Sequence, residues 1–488
     1  MPAAEPRARI DGNDLIRKTA TEAVDLLRRG EVSPLDLVEA ALARIAEVEP
    51  AVNALPTVCA DRARDHARRL GQRPGDAPIR GWLAGLPIAI KDLTDVAGVR
   101  TTYGSPIFAN HVPERSHPLV EHLEGLGGIV LAKSNTPEFG AGGSTFNEVF
   151  GRTRNPWNTS LTCGGSSGGA AVSLATGEVW LAHGTDFGGS LRGPASYCSV
   201  VGLRPSPGRV PRGGRFIPFS PLSVTGPMAR NVPDLALFLD AMAYENAADP
   251  LSLTPPVQSF VDALRAPARP LRIAWSPDLR VGPVQRETIA LCKAAARCFE
   301  PLGATVEEAD PDLRDATDIF MALRGLQFAI DRAPMLETHR DQLKADIIWN
   351  TELGLKLTGP EVADAERKRL ALWQRVVAFF ERYDLLLCPC RPVPAFDVDL
   401  RHPEQVDGRR FETYISSSAL TYAITLSGCP ALSLPCGFTA DGRAVGLQMV
   451  GRPRGEAALL HAAARLEQAL GLDRLLPIDP RPGTVPVD

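Results

Sequence analysis

The sequence lacks several features that would assign it to common functional classes. It has no excess of positive charge, since 53 Lys and Arg residues stand against 57 Asp and Glu residues for a net charge of −4. This balance argues against a protein that binds nucleic acid by neutralising phosphates. No uninterrupted apolar run reaches the roughly 18–20 residues that a membrane-spanning helix needs, and no apolar segment typical of a secretion signal follows the first residues. We therefore expect no nucleic-acid partner, no membrane span and a cytoplasmic location.

The sequence also lacks the patterns of disulfide and metal proteins. The nine cysteines are odd in number and form no Cys-x-x-Cys pair, and the eight histidines form no His-Glu-x-x-His motif. In a chain of 488 residues this argues against a disulfide framework and a zinc site. We expect the cysteines to be small apolar side chains in a reducing compartment, and we expect neither a metal nor a cofactor.

What the sequence does contain is an alternation of strand-like and helix-like segments. Residues 86–90 form a short apolar run that Lys91 follows, residues 117–126 have a helical pattern, and residues 129–133 form a second apolar run. A strand–helix–strand alternation predicts an α/β layered sheet.

A helix near the N-terminus has clear start and stop signals. Ser33 and Pro34 offer an N-cap and a proline at the first helical position. The apolar periodicity that follows predicts a helix to about Val48, ending before Pro50.

Lys91 is the first candidate for chemistry. The chain has only seven lysines, and Lys91 ends a run predicted to be a buried strand, where a cation is costly. Burial lowers the pKa of a lysine, and a neutral amine acts as a base near pH 7. Taken alone, the residue fits better with a lysine whose ammonium group reaches water from a strand end.

The second candidate is the Gly-Gly-Ser-Ser-Gly-Gly segment at residues 164–169. Four glycines leave the hydroxyls of Ser166 and Ser167 little shielded, and a helix that starts here would direct N–H groups toward a developing anion. By composition alone, such a segment is more often a plain turn.

The third candidate is the segment 184–192, in which two glycines precede Ser190. The serine hydroxyl would lie on an exposed turn, and the preceding N–H groups could face the same space, as an oxyanion hole requires. Asp186 and Arg192 flank this serine. We favour a buried ion pair that fixes the loop over a catalytic role for these two residues.

Together, these three places resemble the amidase signature family. The spacing of Lys91, Ser166 and Ser190 matches the family pattern, and the similarity covers most of the chain, most densely from 83 to 205. Further matching segments are residues 85–92, 133–139, 153–157, 194–196, 202–206, 428–435 and 446–451.

The resemblance implies a serine amidohydrolase with a Ser–Ser–Lys triad. Ser190 would be the nucleophile that becomes acylated, Ser166 the bridging serine held by a cis peptide bond, and Lys91 the base. The oxyanion hole would consist of the backbone N–H groups of Phe187, Gly188, Gly189 and Ser190. This agrees with elementary chemistry, because a serine hydroxyl is a weak nucleophile until a base removes its proton.

The substrate implied is a small molecule with a linear carbon–nitrogen bond other than a peptide bond: an amide, aryl amide or carbamate, or an ester. Gly142 and Gly143 lie in the loop that lines the family's acyl site, so they are candidate substrate contacts. Cys163 and Ser199 stand where Pro and Gly are common in relatives, which affects the expected shape of the pocket.

The implied fold is a single large α/β/α layered domain with a central mixed, twisted sheet of many strands covered by helices on both faces. A homodimer is the default expectation for assembly. The expected segments are an N-terminal helical region that packs on the core (1–70), the amidase signature core (71–240), a variable and largely helical specificity region (241–425), and C-terminal strands and a helix that complete the fold (426–488).

Substrate specificity should depend on residues 302–421, which match no family pattern. Five large apolar side chains there are candidates for an acyl or aryl pocket, although such residues in helices are more often core. They are Phe320, Met321, Phe328, Trp349 and Trp373.

Two other interpretations remain open at this point. Gly164, Ser166 and Gly168 formally match the nucleophile elbow of α/β-hydrolases, which would make the protein an esterase with a downstream acid and a histidine such as His402 or His461. Alternatively, the family includes an amidotransferase subunit that works in a tRNA-dependent complex, and binding proteins that have lost the triad. Retention of all three triad residues disfavours the binding proteins, and residues 216–220 do not resemble the amidotransferase sequence.

Overall fold

The computed structural model describes residues 11–70, 79–213 and 219–484. Within these ranges the chain forms fifteen strands. In chain order they are β1 (Thr57–Val58), β2 (Pro87–Lys91), β3 (Ile129–Ser134), β4 (Phe146–Asn147), β5 (Gly151–Arg152), β6 (Leu181–Asp186), β7 (Val201–Arg204), β8 (Val224–Ala229), β9 (Arg272–Trp275), β10 (Thr305–Glu308), β11 (Leu385–Pro389), β12 (Gln405–Val406), β13 (Arg409–Arg410), β14 (Ala431–Phe438) and β15 (Ala444–Gly451).

The same ranges contain fifteen α-helices. They are α1 (Gly12–Arg17), α2 (Ala20–Arg28), α3 (Pro34–Val52), α4 (Ala60–Leu70), α5 (Pro118–Gly125), α6 (Gly168–Ala175), α7 (Arg192–Cys198), α8 (Val232–Met242), α9 (Phe260–Ala263), α10 (Arg286–Arg297), α11 (Ala316–His339), α12 (Ala345–Leu355), α13 (Gly359–Arg382), α14 (Ala419–Ser427) and α15 (Glu456–Leu470). None of these helices is long and apolar enough to cross a membrane.

Eleven strands form one mixed sheet in the order β1-β3-β2-β6-β8-β7-β14-β15-β11-β9-β10. Strand β2 is parallel to both of its neighbours, β3 and β6, whereas the pairs from β6 to β11 are antiparallel. Every residue of β2, β3 and β15 is buried, although successive side chains point to opposite faces. Helices therefore cover both faces of the sheet, and the predicted α/β layered class is confirmed.

The predicted strands at residues 86–90 and 129–133 correspond to β2 and β3, shifted by about one residue. Lys91 is the last residue of β2 and lies in the interior of the sheet. The division of the chain into four segments remains a prediction, and its residues 1–10, 71–78, 214–218 and 485–488 lie outside the described part.

Helix α3 is longer than predicted. Ser33 caps it by accepting a hydrogen bond from the Asp36 N–H, as expected, but the helix continues through Pro50 to Val52. A proline lacks one N–H donor, and near the C-terminal end of a helix this removes a single hydrogen bond. The helix ends instead at Asn53, whose left-handed backbone conformation terminates it.

Helices α11 and α12 approach each other most closely where Gly325 faces Gly354. A Cβ added to Gly354 would lie 1.8 Å from the carbonyl oxygen of Gly325. Only a residue without a side chain permits this backbone contact. The two glycines therefore fix how the helical layer packs beside the sheet.

We expect Gly354→Ala to lower the free energy of unfolding by about 1–3 kcal/mol, because the two helices must separate to admit the methyl group. Urea unfolding followed by circular dichroism measures the change. Gly359→Ala is the matched control, since a Cβ added there meets nothing within 4 Å. Equal stability of the two variants would contradict the close approach of α11 and α12.

Candidate active site

Lys91 is fully buried, and within the described part of the chain its amine hydrogen-bonds only to hydroxyl groups. Its Nζ is 2.6 Å from Ser166 Oγ, 2.9 Å from Ser167 Oγ and 3.0 Å from Thr185 Oγ1. Burial lowers the pKa of Lys91 well below its ordinary value, and the negative charge of Asp186 opposes this only in part. The amine is therefore biased toward its neutral form, which accepts protons.

The position of Ser166 depends on glycines with no room for side chains. The Gly165–Ser166 peptide bond is cis, as the family resemblance implies. A Cβ on Gly165 would lie 2.8 Å from the carbonyl oxygen of Gly142, and one on Gly168 would lie 2.3 Å from Thr145 Oγ1. The glycine-rich segment thus packs tightly against the preceding loop, and it holds the buried Ser166 hydroxyl against Lys91.

Ser190 lies in the tight connection between β6 and α7. Gly189, just before it, has a φ of +116°, and a Cβ there would lie 2.2 Å from Thr421 Oγ1. Only glycine fits this combination of backbone conformation and contact. The turn leaves Ser190 partly exposed, and Ser190 and Ser166 both line one cavity.

The backbone N–H groups around Ser190 divide into two sets. Within the described residues, those of Phe187, Gly188 and Ser190 have no hydrogen-bond acceptor. The resemblance implied four donors to the oxyanion, but the N–H of Gly189 donates to Asp186 Oδ1 at 3.0 Å instead. Three donors rather than four are thus free to face a developing anion.

Asp186 fixes the connection between β6 and α7 through hydrogen bonds and ion pairs. Its carboxylate accepts from the N–H groups of Gly189 and Leu191 and pairs with the guanidinium groups of Arg192 and Arg204. The three charged side chains are fully buried. Burial alone would raise the pKa of Asp186, but the two guanidinium groups outweigh it and hold the pKa well below its ordinary value. The ion pair suggested by the sequence is present, and it has a second arginine that the sequence did not indicate.

Two adjoining cavities meet at Ser190. The first is also lined by Ser166, Thr185 and Phe328, and the second by Gly142 and Gly143. Of the five large side chains considered in the specificity region, Phe320 packs against Phe187 at a ring-centroid distance of 5.5 Å. Trp349 and Trp373 are 38% and 45% exposed, so they belong neither to these cavities nor to the core. They lie on the outer side of α12 and α13, and Met321 lines a separate surface groove.

Several residues at the site could not be identified from sequence patterns. Ser167 and Thr185 lie inside the two glycine-rich segments, yet only their distances to Lys91 identify them as its partners. Arg324 and Arg391 line the second cavity, and no local pattern around either one marks it. Their positions depend on long-range packing, which a single sequence does not reveal.

In the part of the chain that the structure describes, the histidines make no contact that would support a histidine-dependent site, although His117 lines the first cavity with the two serines. Among the described residues, no histidine hydrogen-bonds to Ser166 or Ser190. His402 Nδ1 contacts the Pro403 carbonyl oxygen, and both ring nitrogens of His461 are buried without a hydrogen-bond partner. In residues 11–70, 79–213 and 219–484, no group of three or more His, Cys, Asp or Glu side chains is placed to hold a metal ion.

Comparisons with known proteins agree with one another. A family model described as Amidase matches residues 36–460. The chain is 35% identical to an acylamidase of Rhodococcus erythropolis over 455 residues, which cover 92% of this chain and 94% of the relative. It is also 35% identical to one of the subunits of the glutamyl-tRNA(Gln) amidotransferase of Moorella thermoacetica, over 95% of this chain and 99% of that protein.

Solved structures give the same picture. A bacterial aryl acylamidase of the amidase signature enzymes superposes with a TM-score of 0.88 at 28% identity, covering 95% of this chain and all of the other. A 6-aminohexanoate cyclic dimer hydrolase in complex with its substrate gives a TM-score of 0.85 at 27% identity, covering 93% of this chain and 97% of the other.

We expect Asp186→Asn to lower the free energy of unfolding by about 3–5 kcal/mol at neutral pH, because two buried guanidinium groups lose their counter-charge. The folded-state pKa of Asp186 lies below its ordinary value of 3.8, so its contribution is present above that pH and is lost as the pH falls below it. The stability difference from wild type should therefore shrink in acid.

Urea unfolding at a series of pH values measures this difference. Asp364→Asn is the control, because its ion pair with Lys368 is exposed and contributes little. A loss at Asp186 no larger than the loss at Asp364 would contradict the organising role of the buried ion pair.

Proposed function

Since the chain belongs to the amidase signature family and is an amidohydrolase that acts on carbon–nitrogen bonds, we propose that it works through an acyl-enzyme on Ser190 with Ser166 and Lys91 as the other members of a triad. The observation that supports this most directly is the 2.6 Å contact between the buried Lys91 amine and Ser166 Oγ. Ser166 and Ser190 line the same cavity, so a substrate there meets both hydroxyls.

The first half of the reaction forms the acyl-enzyme. Neutral Lys91 accepts a proton from Ser166, and Ser166 in turn accepts the proton of Ser190. The Oγ of Ser190 attacks the substrate carbonyl carbon as it loses this proton. The oxygen of the tetrahedral intermediate becomes negative, and the N–H groups of Phe187, Gly188 and Ser190 stabilise it. Gly189 acts by shaping the turn, since its own N–H is bonded to Asp186.

The second half releases the products. Ser166 passes a proton to the leaving nitrogen as the carbon–nitrogen bond breaks, and the amine departs. Water then attacks the ester carbonyl on Ser190, and Ser166 and Lys91 again accept a proton. That proton returns to Ser190 Oγ as its bond to the acyl carbon breaks, and the carboxylic acid is released. Gly142 and Gly143 contact the acyl group in this scheme, because they line the cavity next to Ser190.

Ser190→Ala should abolish formation of the acyl-enzyme and reduce kcat to background, because the attacking oxygen is gone. A fluorophosphonate probe followed by peptide mass spectrometry locates the adduct in the wild-type protein. We expect it on the peptide that contains Ser190, and Ser190→Ala should carry none. An adduct on Ser166 would exchange the proposed roles of the two serines and favour the nucleophile-elbow alternative.

The rate should rise with pH, because the neutral fraction of Lys91 increases as the pH passes through its lowered pKa. The rise should level off once the amine is fully neutral. Lys91→Met should keep the fold, lower kcat/KM by about 10²–10⁴-fold or more and lose this pH dependence. Steady-state kinetics on an uncharged anilide measures both effects, and near-ultraviolet circular dichroism checks the fold. The same pH profile in Lys91→Met would argue against a lysine base.

An amidotransferase role is the second candidate, since subunits of glutamyl-tRNA(Gln) amidotransferases match nearly the whole chain. Residues 216–218, part of the segment that led us to rank this role low, lie outside the described part. Hydrolysis of simple amides by the purified chain distinguishes the two functions. Activity without a partner supports a stand-alone amidase, whereas strict dependence on a second protein would favour the complex.

We also propose a cytoplasmic location and a homodimer for this enzyme. All nine cysteines are free thiols in the structure, which fits a reducing compartment. Light scattering during size-exclusion chromatography tests the assembly, and a monomer at working concentration would contradict the dimer.

A further inference from the structure

The second cavity beside Ser190 is lined by two buried arginines. Arg324 comes from α11, and Arg391 follows β11. Their exposed fractions are only 7% and 4%. None of the described residues that line this cavity is acidic. Two cations thus border a space in which the described part of the chain offers no counter-charge.

The partners of both guanidinium groups are neutral. Arg324 donates from Nε to Asn350 Oδ1 at 2.9 Å and from Nη2 to the Tyr414 hydroxyl at 2.8 Å. Arg391 donates from Nη1 to Ser418 Oγ at 3.0 Å. Within the described part of the chain, neither arginine forms an ion pair. Arg391 also donates from Nε to the Tyr197 hydroxyl at 3.5 Å. Arg324 Nη1 and Arg391 Nη2 have no acceptor among the described residues.

Two other buried arginines near Ser190 have a counter-charge, since Arg192 and Arg204 are paired with Asp186. Arg230, which lines neither cavity, donates instead to the backbone carbonyl oxygens of Ile16 and Lys18. Removing a cation from water without a partner is costly, and an anion that enters the cavity would lower that cost for Arg324 and Arg391. A guanidinium offers two parallel donors that match a carboxylate, and charge-assisted hydrogen bonds of this kind are strong.

Aromatic rings hold Arg324 in a fixed orientation. Its Cζ lies 4.5 Å from the ring centroid of Phe328 and 5.4 Å from that of Phe187. Arg391 is fixed in a similar way, since its Cζ lies 5.6 Å from the ring centroid of Tyr197. These contacts restrict both side chains before any ligand binds, which lowers the entropy that binding must overcome.

The triad indicates which part of the substrate reaches the arginines, and this step depends on the function proposed above. Ser166 must contact the leaving nitrogen to return its proton, and Ser166 lines only the first cavity. The leaving group therefore occupies the first cavity. The second cavity, which Gly188 and Ser190 also line, receives the acyl group.

We propose that Arg324 and Arg391 bind a carboxylate at the far end of the acyl group, so that the substrate is a monoamide of a dicarboxylic acid. Ser190 Oγ forms a bond to the amide carbon, the carbon–nitrogen bond breaks, and the amine leaves with the proton from Ser166. Water then cleaves the ester and restores Ser190. The products are a dicarboxylate and an amine, and no other reactant is needed.

The test compares two 4-nitroanilides that differ only at the far end of the acyl chain. One carries a glutaryl group, whose far end is a free carboxylate. The other carries a pentanoyl group, which is of similar length but uncharged. We expect kcat/KM for the glutaryl compound to be at least about tenfold higher in the wild-type enzyme, since charged hydrogen bonds contribute at this level. Equal rates, or a preference for the pentanoyl compound, would overturn the proposal.

Substitutions of the two arginines test whether they cause the preference for the glutaryl compound. Arg324→Gln and Arg391→Gln should each lower kcat/KM for the glutaryl compound about 10- to 100-fold, mainly through KM, while the rate on the pentanoyl compound stays within a few-fold. Arg367→Gln, at an exposed position on α13, is the matched control and should change neither rate. A glutaryl preference that survives both substitutions would exclude these arginines as its source.

A third substrate distinguishes the two cavities. The pentanoyl amide of 4-aminobenzoic acid carries its carboxylate on the leaving side, and it should show no advantage over the pentanoyl amide of aniline. A preference for the leaving-side carboxylate would place the anion site in the first cavity and overturn the assignment.

Binding without turnover separates this inference from the triad. Free glutarate should slow fluorophosphonate labelling of Ser190 at concentrations where pentanoate does not, and Arg391→Gln should remove that protection. If labelling occurs on Ser190 but glutarate gives no protection, the carboxylate site fails while the triad stands. If no serine is labelled and neither anilide is cleaved, the proposed triad fails instead.

Discussion

The candidate active site depends on the burial of one amine. Lys91 ends a strand in the interior of an eleven-stranded sheet, and among the described residues its Nζ hydrogen-bonds to three hydroxyl groups and to no carboxylate. If a carboxylate replaced one of these hydroxyls, it would keep the amine charged and unable to accept a proton. The rest of the site serves this environment: the glycine-rich segment brings Ser166 against the amine, and the parallel strands beside β2 exclude water from it.

The ion-pair cluster under the Ser190 loop serves a different purpose. Asp186 has two guanidinium partners and two backbone donors, which stabilise its charged form, whereas burial disfavours the charged form of Lys91. The carboxylate lowers the cost of charge on Lys91 only in part, because desolvation has the larger effect on that pKa. A carboxylate with a lowered pKa and an amine with a lowered pKa thus coexist in one small volume, since each has a different set of nearest neighbours.

Much of this arrangement could be predicted from the sequence, and the reasons are local. The strand before Lys91 follows from a short apolar run, and the partial exposure of Ser190 follows from the glycines before it. The same reasoning was wrong for Ser166 and Ser167, which are buried although glycines flank them. Contacts between distant segments could not be predicted in this way. The sequence does not indicate that Arg204 pairs with Asp186 or that the Gly189 N–H donates to the same carboxylate. The positions of Arg324 and Arg391 likewise depend on how separate elements pack. The predicted end of helix α3 was wrong because Pro50 lies in the last turn of the helix, where a proline does not end it.

The close contact of Gly325 with Gly354 has a consequence for the divergence of such enzymes. Arg324 is the neighbour of Gly325, so one of the residues that line both cavities is positioned by a helix pair outside the sheet. A change in the packing of that helix pair would act on the arginine directly, but not on the strand that ends at Lys91. Under the functions proposed above, acyl preference can therefore change while the reaction type stays the same.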